Sequence, residues 1–171
     1  GMNNTFALAI SESKSKELGI ETMSDLAKHS SGFKFGANHL FYTRVYDGYD
    51  TITEVYDYSF AAAEKMDSSL LYDAVAEDQL DVIVVYATDS LLKKYKLTIL
   101  ADDKEVFPAY YGTPICKNET LEKYPELKDI LNMLSGMIDD ETMQELNYLV
   151  DVENKDVEDV ARDFLTKKGL L

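Results

Sequence analysis

Hydrophobic positions in the first hundred residues come in short blocks, separated by charged stretches and turn residues. Thr5 to Ile10 is the first block, of a length that suits a buried strand. A charged stretch of helical character follows and stops at Gly19. Thr22 with Asp25 three residues on is a variant of the capping box and predicts a helix running to about Ser30. Phe33 to Ala37 is a second short strand, and Phe60 to Met66 a weaker third. Between them lies a polar-aromatic segment, His39 to Tyr49, interrupted by Asp47-Gly48. Asp67 or Ser68 can cap a helix over Ser69 to Glu77. Asp81 to Ala87 is the clearest strand, because Val82, Ile83, Val84, Val85 and Tyr86 run without a polar break. Apolarity without alternation predicts burial on both faces, as in a parallel sheet. Thr88-Asp89 then caps a helix over Ser90 to Tyr95. Leu97 to Leu100 and Tyr110 to Cys116 are further strand candidates on either side of Pro108.

From Asn118 the pattern changes to helical spacing. Leu127, Ile130, Leu131 and Leu134 share one face; so do Met143, Leu146, Leu149 and Val150, and then Val157, Val160, Ala161 and Phe164. Asp139 and Asp156 are candidate caps, and Gly136 and Gly169 candidate stops. Strands alternating with helices over two thirds of the chain predict an α/β sheet domain, and the last third a helical appendage. Those helices could form a bundle alone or serve as an outer layer on a sheet.

Composition narrows the function classes. With 171 residues, 46% of them hydrophobic, the chain can build a core. Its 32 acidic and 17 basic residues give a net charge of -15. That balance argues against nucleic acid, which needs a basic footprint, and against docking on anionic lipid. No stretch reaches the about 20 apolar residues of a membrane span, and no targeting segment is visible within these residues. Cys116 is the lone cysteine and, within Tyr110 to Cys116, reads as a buried, inert side chain. His29 and His39 are not at metal-ligand spacing with one another or with Cys116. Phosphate-loop and nucleophile-elbow patterns are absent, and the carboxylate pairs Asp102-Asp103 and Asp139-Asp140 suit turns and helix starts. Nothing in this inventory points to an enzyme, a metal or a cofactor.

The aromatic inventory points elsewhere. There are 12 Tyr and 7 Phe but no Trp. Phe6, Tyr86 and the pair Tyr110-Tyr111 fall in or near strand ends, where open α/β sheets bind ligands. A trimethylammonium group has no hydrogen to donate, so ring faces hold it instead, at ~0.5–2 kcal/mol per contact. Several tyrosines around one cation would make a cage. The same residues could equally be half-buried core. Arg44, in Phe41-Tyr42-Thr43-Arg44, could pair with a ligand carboxylate through two parallel hydrogen bonds or form an ordinary ion pair.

These segments, taken in order, resemble the substrate-binding proteins of glycine betaine/carnitine/choline ABC transporters. The matching stretches are Thr5-Phe6-Ala7-Leu8-Ala9-Ile10, Asp25-Leu26-Ala27, Phe35-Gly36-Ala37, Arg44-x-x-Asp47-Gly48, Tyr86-Ala87-Thr88-Asp89 and Phe107-Pro108-Ala109-Tyr110-Tyr111. Lys123-Tyr124-Pro125-Glu126-Leu127 and Met143-Gln144-Glu145-Leu146-Asn147-Tyr148 match in the helical third. The resemblance implies a type II periplasmic-binding-protein fold, two α/β lobes closing on a ligand between them. It implies an aromatic box on Phe6, Tyr86 and Tyr110 around a quaternary ammonium such as glycine betaine, choline or carnitine. Arg44 matches an arginine that pairs with the ligand carboxylate in some members. Position 6 is usually Tyr in that family, and Asn38-His39 stands where it is commonly acidic.

The resemblance further implies a partner, the membrane permease of an ABC importer. The module would work on the outer face of the plasma membrane or in the periplasm, as a lipoprotein or fused to its permease. Residues 4–112 would be lobe two, and 113–171 the C-terminal helices of lobe one. The rest of lobe one, with a fourth box aromatic, would precede Gly1. Helices without their sheet would drive self-association, so a homo-oligomer is expected. A ligand-sensing regulatory domain of the same fold and a non-binding truncated remnant stand as alternatives.

Overall fold

The computed structural model describes residues 1–171. Five strands form one open sheet: β1 (Phe6–Ser11), β2 (Lys34–Ala37), β3 (Ala62–Lys65), β4 (Val82–Tyr86) and β5 (Leu97–Ile99), in the order β3-β2-β4-β1-β5. β2 runs parallel to both β3 and β4. β1 runs antiparallel to β4 and β5. The sheet is therefore mixed, where the unbroken apolar run of β4 predicted parallel neighbours. That run requires only that both faces be covered, and it is blind to the direction of the neighbouring strand.

Both faces are covered. On one, Phe6, Leu8 and Ile10 of β1, Phe35 of β2 and Val82 and Val84 of β4 pack with Leu26, Ile52 and Tyr56. Those last three come from α2 (Met23–Ala27) and α3 (Tyr49–Tyr56). On the other, Ala7, Ala9, Ile83 and Val85 meet Leu71, Tyr72 and Val75 of α4 (Ser68–Ala76) and Leu92 of α5 (Leu91–Lys94). Odd and even positions of each strand divide between the two faces, the period of two that strands impose.

Local signals account for most boundaries. α1 (Glu12–Leu18) ends on Gly19 in the left-handed conformation, φ 67°. At α2, Thr22 accepts from Asp25 N and the Asp25 carboxylate accepts from Thr22 N, a complete capping box. That helix stops at Ala27, short of the expected Ser30, and a single 3₁₀ turn covers Ser30–Gly32. α3 has no counterpart among the elements expected from the sequence. Its N-cap is Gly48, which supplies no side-chain bond, so the usual capping signature is missing.

Four helices complete the chain: α6 (Asn118–Lys123), α7 (Leu127–Asn132), α8 (Asp140–Asp151) and α9 (Val157–Lys167). Asp139 and Asp156 cap the last two through their side chains, and Gly136 and Gly169 take positive φ. α8 is tied to the sheet. Gln144 Nε2 donates to the Ala87 carbonyl at 2.6 Å and Asn147 Nδ2 to that of Thr88 at 2.9 Å. Yet Val160 is the lone buried residue in these four helices. Ile130 and Met133 are 54% and 49% exposed, so the amphipathic faces read from the sequence exist but are only partly covered.

Two expectations fail between β5 and α6. Tyr110 to Cys116 is not a strand; it is extended chain with one isolated bridge, Asn3 to Tyr111. No neighbouring strand lies there to complete a ladder, and Ile115 is 96% exposed. Cys116 is half-buried rather than buried. No helix is long and apolar enough to cross a membrane.

Candidate ligand-binding site

The antiparallel pairing of β1 with β4 decides where the aromatics meet. Phe6 opens β1 and Tyr86 closes β4, and the register pairs them directly. Their rings stack at 4.9 Å between centroids with 23° between planes. This edge is also where β2 and β4, parallel to each other, present their carboxyl ends. Phe41 packs edge-on against Phe6 at 5.5 Å, and Phe107 lies at 6.4 Å.

Arg44 reaches the same edge from the loop after β2. Asn38 Oδ1 accepts from Phe41 N and starts a 3₁₀ turn over Phe41–Thr43. The chain then bends back so closely that a side chain on Gly48 would collide with the carbonyls of Phe41 and Arg44. Arg44 donates Nε–H to Asp47 Oδ1 and an Nη2 hydrogen to Oδ2, both at 2.6 Å. Its Cζ sits 5.0 Å from the Phe6 ring centre. A further Nη2 hydrogen goes to the Tyr110 hydroxyl at 3.0 Å. The bonds Arg44 donates to Asp47 raise its pKa further, so its charge holds at every accessible pH.

Tyr110 comes from the segment after Pro108, which the chain's start clamps in place. Tyr110 N donates to Asn3 Oδ1 at 2.6 Å, Asn4 N to the Tyr110 carbonyl at 3.0 Å, and Thr5 Oγ1 to the Pro108 carbonyl at 2.7 Å.

All four residues singled out from the sequence, Phe6, Arg44, Tyr86 and Tyr110, thus lie together. Their exposure differs. Phe6 is 5% exposed, against 41% for Tyr86 and 47% for Tyr110. Phe6 is largely occupied by Tyr86 and by the Arg44 guanidinium, so the ring surface open to a ligand belongs mainly to the two tyrosines. Asp47, 4% exposed, had no role assigned from the sequence. Its spacing of three from Arg44, just before a glycine, was the available signal. Asn3 and Asn4 had none, and Phe41 and Phe107 stood out only as members of the Phe41–Arg44 and Phe107–Tyr111 segments, because their part depends on contacts between distant segments. His39 and Cys116 are not among these contacts, and no cluster of three or more His, Cys, Asp or Glu could hold a metal ion.

A two-sided α/β sheet with open aromatic faces and a pinned arginine at one edge has the form of a periplasmic-binding-protein-like lobe. The chain belongs to the family described as the substrate binding domain of ABC-type glycine betaine transport systems, which matches residues 1–167. It is 41% identical over 99% of its length to the ergothioneine transport permease/ergothioneine binding protein EgtU of Helicobacter pylori, and covers 31% of that protein. It is 35% identical over 99% of its length to the carnitine transport binding protein OpuCC of Listeria monocytogenes, and covers 55% of it. The crystal structure of a glycine betaine/carnitine/choline ABC transporter superposes with a TM-score of 0.94 at 38% identity, over 99% of this chain and 62% of that one. The chain therefore spans between 31% and 62% of the length of these three proteins.

Proposed function

We propose that this chain is the larger part of a solute-binding module of an ABC importer, with no catalytic role, and that it captures a quaternary ammonium compound bearing a carboxylate. The observation that supports this most directly is the meeting of Phe6, Tyr86, Tyr110 and Arg44 at one sheet edge. Tyr86 and Tyr110 offer ring faces to the ammonium, and Arg44 offers hydrogen bonds to the carboxylate. Glycine betaine, carnitine and ergothioneine, named for the relatives and neighbours, share both groups.

In this reading residues 4–112 form one lobe and the helices of 113–171 belong to a second. The second lobe closes over the site, and a permease reads the closed form. The exposed Tyr111, Ile115, Ile130 and Met133 suit a face that further chain covers. On its own, the chain self-associates through this face; a monomer by light scattering at high concentration counts against that. The module works outside the cytoplasmic membrane, as a lipoprotein or joined to its permease, as the permease/binding-protein name of the Helicobacter relative illustrates.

Titration of the ¹⁵N-labelled chain with glycine betaine, carnitine, ergothioneine and choline tests the reading, because NMR detects binding even at millimolar affinity. Shifts centred on Phe6, Tyr86 and Tyr110, abolished by Tyr86→Ala, are expected. Failure of all four ligands to shift these resonances overturns the assignment of ligand class.

A further inference from the structure

We propose that Asp47 is a positioning residue of this site: it turns the Arg44 guanidinium so that the Nη1 group and the adjacent Tyr110 hydroxyl form a donor pair for a ligand carboxylate. This rests on the betaine reading above and adds a residue to it.

A guanidinium carries five N–H donors in a fixed plane. Three are engaged within the chain. Nε and one Nη2 hydrogen go to the two oxygens of Asp47, and the second Nη2 hydrogen goes to Tyr110. The two Nη1 hydrogens have no protein acceptor within the chain's hydrogen bonds. Tyr110 accepts from Arg44, so its own O–H is free to donate, beside Nη1. Tyr110 is about half exposed and the Arg44 side chain 27% exposed, so this end of the guanidinium is open to a ligand.

Asp47 is suited to steering and not to binding. Its side chain is 5% exposed against 27% for Arg44. Both its oxygens face the guanidinium, which leaves it closed to a ligand ammonium. An arginine side chain has many rotamers to lose, and holding it in advance removes that entropic cost from ligand binding. The hold has three points: the Asp47 fork, the Phe6 face and the Tyr110 hydroxyl. The charge of Asp47 also offsets that of Arg44, so a cationic ligand head meets a locally neutral pair.

Arg44 and Arg162 are the chain's arginines, which makes the test clean. In the wild-type chain, the Arg44 Nε–Hε resonance is expected to be resolved and slow to exchange with water. Arg162, exposed on α9, serves as the fast-exchanging reference. In Asp47→Asn, Arg44 exchange is expected to approach that of Arg162 and glycine betaine affinity to fall at least tenfold. In an Arg44→Ala background, Asp47→Asn is expected to change that affinity less than twofold, since its effect passes through Arg44. Should Asp47→Asn fail to fold, Asp47→Glu keeps the charge but moves the fork by one methylene, and the same two losses are expected. Unchanged betaine affinity in a folded Asp47 variant, or an equal loss in the Arg44→Ala background, overturns the proposal while leaving the betaine reading intact. Absence of betaine binding by the wild-type chain overturns the betaine reading, and the ligand half of this proposal with it.

Discussion

Phe6→Leu separates a ring that holds the site together from one that merely lines it. Phe6 is 5% exposed and meets Phe41 at 5.5 Å, Tyr86 at 4.9 Å and Phe107 at 6.4 Å, with Arg44 5.0 Å from its centre. Leucine keeps the apolar character but has no ring face. A well-placed aromatic pair adds about 0.5–1.5 kcal/mol beyond burial, the half-exposed and longer pairs taking the low end. The cation–π contact with a partly exposed arginine adds about 0.5 kcal/mol. The smaller side chain leaves a void worth about another 0.5 kcal/mol. Together these come to about 3 kcal/mol, a large part of the roughly 5–15 kcal/mol that holds a domain. Urea unfolding followed by circular dichroism reads this as a lower midpoint at unchanged slope. Tyr86→Leu is the comparison. It loses the same stacked pair from a residue 41% exposed and is expected to cost about 1 kcal/mol or less. If Phe6→Leu falls within 1 kcal/mol of wild type, or Tyr86→Leu costs as much, Phe6 is not the hub on which the edge is built.

Gly48→Ala forces a methyl group against the Phe41 and Arg44 carbonyls, so the loop must open. A loss of about 1–3 kcal/mol is expected in thermal unfolding, with loss of the slow Arg44 Nε–Hε exchange, and a stable variant with that signal intact refutes it. Lys28 first, and Thr22 after it, lower the Asp25 carboxyl from 3.8 to about 2. A depressed folded pKa adds stability above the unfolded value and loses it as pH falls through the folded one, so this share is lost between about pH 4 and 2. Asp25→Asn is expected to flatten the acid limb of an unfolding-against-pH curve in that window; an unchanged slope argues against the Asp25 carboxylate, with its Lys28 and Thr22 partners, as its source. Asn147→Ala removes the bond from α8 to the Thr88 carbonyl, at a cost of about 0.5–1.5 kcal/mol. Hydrogen exchange is expected to quicken in 140–167 before the sheet, and uniform quickening would show the helices and sheet open as one unit.

Local order was legible in the sequence where one short segment carries its own reason. The Thr22–Asp25 capping box, the Asp139 and Asp156 caps and the glycine stops at 19, 136 and 169 each depend on residues within a few positions. The burial of Val82–Val85 on both faces followed from their unbroken apolar run. The helix α3 escaped because Gly48, chosen for close backbone approach, leaves no capping side chain to read. Tyr110 to Cys116 misled because an apolar run says that a segment avoids water, not that a partner strand exists beside it. The site residues were named individually from aromatic content and resemblance. Only the tertiary structure set Phe6 on Tyr86, because antiparallel register is a property of two strands 80 positions apart in sequence. Only it closed Asp47 on Arg44 while Asn3 and Asn4 brought Tyr110 to the same guanidinium. Spacing along a chain encodes the period of one element. Which elements meet, and which way each side chain then points, is settled by packing among all of them at once.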